Sequence, residues 1–285
     1  YTRYGSSSNS LSHTSILSLH KDMQGNIWVG TYYGGVNVFN PDKNNHSFYC
    51  AEPLREDCLS FPVVGKMTED SAGNVWICTE GGGLNCYHGD TGVFSRYMYH
   101  KGDQGTLGSN NVKSIFYRKE NNRLYAGTHL GGLFVLDLKS NKGHTLHHVT
   151  GDPASLPHEI VNDIQEYKDG IAMLTQGGPV FFDPVTEKFS PLTDDPSVQK
   201  LISREYAFET FLIDSRHRMW LAVGGGGIVC VNLSSSKVTQ YLADSEKDTL
   251  TVGRYKTVHI FEDNKGDIYF STIGAGIFKY QEKQD

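Results

Sequence analysis

Apolar residues in this chain come in short runs, cut apart by Gly, Asp, Asn and Pro. The first segment sets the pattern. A Leu-Ser start opens an apolar stretch from Leu11 to Leu19, and Asp22 to Gly25 makes a tight turn. A second run covers Ile27 to Thr31, and a Gly34-Gly35 turn follows. The third run, Val36 to Phe39, stops at Asn40-Pro41, and an aromatic segment at Phe48-Tyr49 closes the unit. Runs of this length between turn formers predict strands joined by hairpins. No stretch keeps helical spacing across three turns, so helical repeats are not expected.

The same pattern recurs down the chain. Asp22-Met23-Gln24-Gly25-Asn26-Ile27-Trp28-Val29-Gly30-Thr31 returns as Asp70-Ser71-Ala72-Gly73-Asn74-Val75-Trp76-Ile77-Cys78-Thr79. Weaker copies centre on Tyr125, Trp220 and Tyr269, and the most worn runs from Asp169 to Thr175. Trp28 and Trp76 are 48 positions apart, and Trp76 and Tyr125 are 49 apart. A period of this size marks a solenoid, a propeller or an array. Gly25, Gly73 and Gly266 stand where a hairpin needs positive φ, and Asn121-Asn122 stand there in the third copy. Four strands in under fifty residues is the arithmetic of a propeller blade.

The expected fold is therefore all-β, a β-propeller with six visible four-stranded blade repeats. It is either a six-bladed closed ring or part of a seven-bladed propeller. Residues 1-285 form a single domain in this reading, with repeats at about 5-49, 50-97, 98-148, 149-190, 191-241 and 242-285 plus 1-4. Tyr1-Thr2-Arg3-Tyr4 matches Phe94-Ser95-Arg96-Tyr97, the strand ending the second unit, whereas the last unit ends on its third strand. Residues 1-4 are thus expected to pair with 277-280 and complete the sixth blade, since closure removes an unpaired edge. The repeated Trp28, Trp76, Tyr125, Trp220 and Tyr269 are expected to lie buried between blades.

Charge and cysteine count narrow the function classes. The net charge is −6 and no Lys/Arg run forms a basic face, so nucleic acid is not an expected partner. No apolar stretch is long enough to cross a bilayer. Of five cysteines, Cys78, Cys86 and Cys230 fall in strand columns held elsewhere by small or apolar residues. Cys50 and Cys58 share an outer loop and could pair, although an odd count argues against a disulfide framework.

The combination Asp-x-x-Gly-Asn-Ile-Trp-Val-Gly-Thr, Gly-Gly-Val and Phe-x-Pro resembles the two-component regulator propeller family. Residues 11–41 and 59–87 match it well, and the other repeats stay in phase. The resemblance implies the periplasmic sensor of a hybrid two-component system, a histidine kinase ectodomain that senses glycans. It implies an oligosaccharide ligand, the remaining domains of the same receptor as partners, and a homodimer in the full receptor. It implies no enzyme activity in this segment and no cofactor. An alternative is a propeller-fold polysaccharide lyase or glycosidase, and another is a protein-binding scaffold.

Several features invite chemistry and are better explained by the repeat. Gly81-Gly82-Gly83 and Gly224 to Gly227 recur at the repeat period, and each precedes a strand rather than the helix of a phosphate loop. His144, His147 and His148 sit in an outer strand, away from any convergence of metal ligands. No catalytic residue and no metal site is nominated. Asp22, Asp70, Asp214 and Asp263 repeat with the blade, as turn-capping carboxylates do.

The candidates are residues that break the repeat. After the second strand stand Tyr32 and Tyr33, Glu80, His129 and Gln176, a mixture of flat aromatics and hydrogen-bonding groups that suits sugar rings. His13, Asn110, His158 and Arg204 precede the first strands and would share that face. A first-strand column reads Ser18, Lys66, Ser114, Asp163, Thr210, His259. It either lines a wet channel, with Lys66, Asp163 and His259 as channel-lining candidates, or rings a ligand mouth.

Overall fold

The structure is a computed structural model that describes residues 10–43, 45–52, 54–204, 207–242 and 252–282. Six antiparallel sheets follow one another in chain order, and each is a β-propeller blade; among the described residues five have four strands and the last has three. The chain divides into two compact units. The first runs to His148 and includes Glu159–Val161, and the second holds Val149–His158 and everything from Asn162 onward.

The first unit contains three blades. Their strands are Ile16–Lys21, Ile27–Thr31, Val36–Asn40 and Asn45–Tyr49; then Val64–Glu69, Val75–Thr79, Leu84–Tyr87 and Phe94–Tyr97; then Val112–Arg118, Arg123–Thr128, Leu133–Asp137 and Lys142–Leu146. The second unit contains Val161–Tyr167, apart from Val161 itself, which belongs to the first unit, with Gly170–Thr175, Gly178–Asp183 and Lys188–Pro191; then Phe208–Ile213, Arg218–Val223, Ile228–Asn232 and Val238–Tyr241; then Thr257–Glu262, Ile268–Thr272 and Gly276–Lys279. The expected pairing of residues 1-4 with the last blade lies outside the described residues.

Turn chemistry follows from residue type. Gly73 has φ 81°, and Asn122, its counterpart in the third blade, has φ 50°. The left-handed region costs glycine nothing and asparagine little. In the first, second, fifth and last blades the Asp that opens the turn does more than cap it. Asp22 Oδ1 accepts the Gln24 and Asn26 N–H groups at 3.0 and 2.8 Å, and Oδ2 accepts Trp28 Nε1–H at 2.8 Å. Asp70 accepts from Trp76 Nε1–H and Asp214 from Trp220 Nε1–H, each at 2.8 Å. In the last blade the Tyr269 hydroxyl donates to Asp263 at 3.2 Å. One carboxylate thus fixes both the hairpin and the ring that packs the blade. A buried indole N–H needs such an acceptor.

Those rings make the core, as their periodicity predicts. Trp28, Trp76, Tyr125 and Trp220 are at most 3% exposed, and Tyr269 is half-buried. Trp28 and Val36 of the first blade pack on Leu59, Val64, Val75, Ile77 and Phe94 around the second. Trp76 and Leu84 pack on Leu107, Val112, Leu124 and Phe134 around the third. In the second unit Trp220 and Ile228 pack on Ile260, Ile268 and Phe270 of the last blade.

The first-strand polar column is largely spent between strands. Ser18 Oγ donates to the Gly65 carbonyl at 2.5 Å, and Ser114 Oγ to the Val161 carbonyl at 3.2 Å. In the second unit Thr210 Oγ1 donates to Asp163 Oδ2 at 2.6 Å, with Asp163 6% and Thr210 5% exposed. Lys66 is half-buried and His259 is exposed. These hydroxyls stitch neighbouring blades, a role the column reading did not anticipate.

The five cysteines are thiols, and Cys50 and Cys58 are unbonded to each other. Their loop is held instead by Arg96, which donates to the carbonyls of Arg55, Cys58 and Leu59. Burial pushes the Cys86 and Cys230 thiols up to about 12, so both act as small core residues. The sequence reading missed the helix Pro196–Arg204. Asp195 caps it, accepting the Ser197 N–H at 2.9 Å, and Val198 and Ile202 are buried. Asp-Pro-Ser followed by apolar residues at helical spacing is the signal that marks it.

Candidate functional site

In five of the blades the residue after the second strand hydrogen-bonds back to the segment before a first strand. The Tyr32 N–H donates to the Ser15 carbonyl at 3.0 Å, Glu80 N–H to Val63 at 3.1 Å, and His129 N–H to Asn111 at 2.9 Å. The second-strand turns and first-strand lead-ins therefore share one end of the blades, as expected from sequence. A threonine locks each turn: Thr31, Thr79 and Thr128 donate through Oγ1 to the carbonyls of Gly35, Gly83 and Gly132 at 2.8–2.9 Å. A Cβ on Gly83 would come within 2.3 Å of the Tyr97 carbonyl, so glycine is required there.

In the first unit these turns link into one row. Gly35 N–H donates to the Pro62 carbonyl, next to Val63, which takes the Glu80 N–H. Glu80 is bridged to Asn111, and the Asn110 carbonyl accepts both Gly81 and Gly83 N–H. Asn111 in turn takes His129 N–H. The row therefore brings together His13, Tyr32, Tyr33, Glu80, Asn110 and His129. His13 lies edge-on to Tyr32 at 6.5 Å between ring centroids, and Tyr32 edge-on to Tyr33 at 4.6 Å. Tyr32 is 43% and Tyr33 61% exposed, and Glu80 is exposed.

Two further details describe this row. Tyr33 has φ 67° and Leu130 has φ 61°, where the second and sixth blades use Gly81 and Gly274. A bulky residue held in the left-handed region carries local backbone strain, as other turns of this chain also do at Lys168, Glu187 and His217. The Tyr32 phenol is held above its ordinary value, chiefly by the adjacent Tyr33 and more weakly by Glu80, so it stays a neutral donor. His129 Nδ1 and Asn111 Oδ1 have no hydrogen-bond partner among the described residues.

The second unit carries the remaining candidates. Gln176 is exposed, and a Cβ on the neighbouring Gly177 would lie 3.5 Å from the His158 Cβ. A Cβ on Gly178 would meet the Ile202 carbonyl at 2.9 Å, near the end of the helix that holds Arg204. The turn after Gln176 thus abuts His158 on one side and Ile202 and Ser203 on the other, with Arg204 next in sequence. Sequence reasoning missed Phe61, whose ring underlies Gly81 at 3.3 Å from a Cβ placed there. It also missed Glu159, which accepts from the His148 N–H at 2.9 Å and pairs with His147 Nδ1 at 3.1 Å. Among the described residues no group of three His, Cys, Asp or Glu side chains could hold a metal ion.

The model of the two-component regulator propeller family matches residues 10–33, the stretch that holds His13, the Asp22 turn, Tyr32 and Tyr33. The chain carries a two-component regulator propeller repeat. No curated protein sequence matches the chain. Among solved structures, the extracellular domain of a putative one component system of B. thetaiotaomicron aligns with TM-score 0.71 at 20% identity, over 96% of this chain and 36% of that one. The extracellular domain of a putative hybrid two component system of B. thetaiotaomicron aligns with TM-score 0.55 at 22% identity, over 93% and 40%. The β-propeller domain of Myceliophteria_thermophila Cps50 (Swd1) aligns with TM-score 0.63 at 12% identity, over 96% and 85%. At these identities the likeness is one of fold, and the chain spans 40% or less of the two B. thetaiotaomicron domains. The regulator-propeller repeat is the one that places Tyr32 and Tyr33 on the exposed turn. No helix among the described residues is long and apolar enough to cross a membrane.

Proposed function

We propose that this chain is the extracytoplasmic, ligand-recognising segment of a two-component signalling receptor. It is a single domain in this reading, periplasmic in location, and it passes its signal to a histidine kinase outside the chain. Its ligand is an oligosaccharide, and the full receptor acts as a homodimer. The observation that carries the reading is the row of Tyr32, Tyr33, Glu80, Asn110 and His129 on one end of the first three blades. Exposed aromatic rings next to hydrogen-bonding side chains suit the apolar face and hydroxyl edge of a sugar. The residues of the second unit, Gln176, His158 and Arg204, and the first-strand residues Lys66, Asp163 and His259, are secondary candidates.

A thermal-shift panel of oligosaccharides tests the proposal. A glycan that raises the melting temperature should lose affinity, by calorimetry, in a Tyr32→Ala, Tyr33→Ala double variant. Unchanged affinity would move the site elsewhere. Incubation of the same glycans with the protein, followed by product analysis, separates a sensor from a lyase or glycosidase.

A further inference from the structure

Two gaps between blades carry the same aromatic box, and among the described residues only one is filled by a side-chain cation. In the second unit the box is Trp220, Tyr241 and Tyr280. Trp220 stacks with Tyr241 at 6.3 Å and stands edge-on to Tyr280 at 4.8 Å. In the first unit the box is Trp28, Tyr49 and Tyr87. Trp28 stacks with Tyr49 at 6.2 Å and stands edge-on to Tyr87 at 5.0 Å. The two phenols of each box face one another, at 3.5 Å between Tyr241 and Tyr280 and 3.0 Å between Tyr49 and Tyr87.

The chain fills the box of the second unit with its own cation. The Arg218 guanidinium lies 4.9 Å from the Trp220 ring centre and 5.4 Å from that of Tyr280. Its Nε donates to Asp214 Oδ2 at 2.7 Å, and Nη1 pairs with Glu282 at 3.3 Å. Arg218 precedes Trp220 by two residues. The residue two before Trp28 is Asn26, and its Nδ2 makes the corresponding bond to Asp22 Oδ2 at 2.7 Å. The carboxamide satisfies the carboxylate but is shorter than an arginine side chain and carries no charge. What is left is a cleft of about 220 Å3 against Trp28, Tyr49 and Tyr87, with Ser47 and Asn40 on its wall and Lys43 on its exposed lip.

We propose that this cleft binds an organic cation, a guanidinium or alkylammonium group of a ligand, in the place Arg218 occupies in the other box. The ring faces carry the negative side of the aromatic quadrupole, which attracts a desolvated cation. The Asp22 carboxylate, 7% exposed, lies behind them. The cleft sits at the end of the blades that bears the Asp22 turn, opposite the Tyr32 turn, so it stands apart from the proposed sugar row.

The test titrates the protein with methylguanidinium and with its uncharged counterpart, methylurea. Binding is read from the indole N–H signal of Trp28 in a nitrogen–proton NMR spectrum. Methylguanidinium should shift that signal at concentrations at least about tenfold below those at which methylurea does, a difference worth about 1.4 kcal/mol. Lys43→Ala should tighten binding by removing a like charge. Asn26→Arg should fill the cleft as Arg218 does, abolish the shift and raise the melting temperature by roughly 2–4 °C. Equal binding of methylurea, weaker binding by Lys43→Ala, or an Asn26→Arg protein that melts lower or still titrates overturns the proposal.

Discussion

The first and second blades present the same face to their chain-preceding side, and among the described residues of the first unit only the second has it covered. On the second blade that face is Leu59, Val64, Val75, Ile77 and Phe94, at most 5% exposed under Trp28 and Val36. On the first blade the equivalent Leu11, Ile16, Ile27, Val29, Phe39 and His46, with Leu19, line an open apolar cleft of about 370 Å3, and Leu19 is 70% exposed. The sequences of the two faces are nearly interchangeable, so their burial is set by the neighbour and not by the residues. Within the first unit, the same residue type is therefore packed under a neighbouring blade at one position and open at its repeat equivalent.

Substitution at paired positions breaks this comparison most sharply. Leu59 is fully buried, and Leu59→Ala should cost about 2–5 kcal/mol by chemical denaturation. The matched Leu11→Ala, at a half-buried site, should cost less than about 1 kcal/mol. Equal losses at the two sites would show that the first face is covered in solution.

A second pair sharpens the role of the turn carboxylate. Asp70 accepts from the turn amides and from Trp76 Nε1. Asp70→Ala leaves that indole N–H buried without a partner and should cost about 1–3 kcal/mol. Trp76→Phe made in the Asp70→Ala background should then cost far less than in the wild type, as a double-mutant cycle would reveal. Additive losses would mean that the ring and the turn are independent.

The blades were legible in sequence because a turn glycine, a ring and a threonine recur at fixed offsets, and each does local work that only a few residue types can do. Asp22 and Asp70 were legible as turn caps, yet their second bond, to the ring six residues on, was not. That bond depends on the hairpin bringing the strand back beside the turn. The row of Tyr32, Glu80 and His129 was legible as a set of repeat-breaking positions on one end. The pairing of Ser18 with Gly65 was hidden, because it joins residues from successive repeats through a first-strand neighbour. The helix Pro196–Arg204 was missed because it replaces a loop within the repeat phase.

The pH response should also differ between the two blades. His20 pairs with Trp28 across the first hairpin, where the second blade has Thr68 opposite Trp76. Burial pushes the His20 ring below its ordinary value of 6.5, with Asp22 opposing weakly. The folded state thus prefers the neutral ring, and the unfolded chain binds the extra proton first. The stability contribution is complete above about pH 6.5 and falls as pH drops through the window below it. His20→Thr should flatten the melting temperature between about pH 5 and 6.5. An unchanged slope would assign the response to other groups.

The smallest expected stability effect belongs to the most exposed contrast. Tyr33 holds φ 67° where the second blade has Gly81 at φ 124°. The left-handed region costs a non-glycine residue roughly 1–2 kcal/mol, and glycine returns about 0.5–1 kcal/mol of that through the freedom of the unfolded chain. The Tyr33 ring also meets Tyr32 edge-on at 4.6 Å, a contact worth about 0.5–1.5 kcal/mol. These contributions nearly cancel, so Tyr33→Gly should leave the denaturation midpoint almost where it was. On the proposed sugar-binding reading its effect falls on glycan affinity instead, since Tyr33 is among the exposed rings of that row. A loss of more than about 2 kcal/mol in stability, with affinity intact, would make Tyr33 a structural residue and return the row to an ordinary set of blade turns.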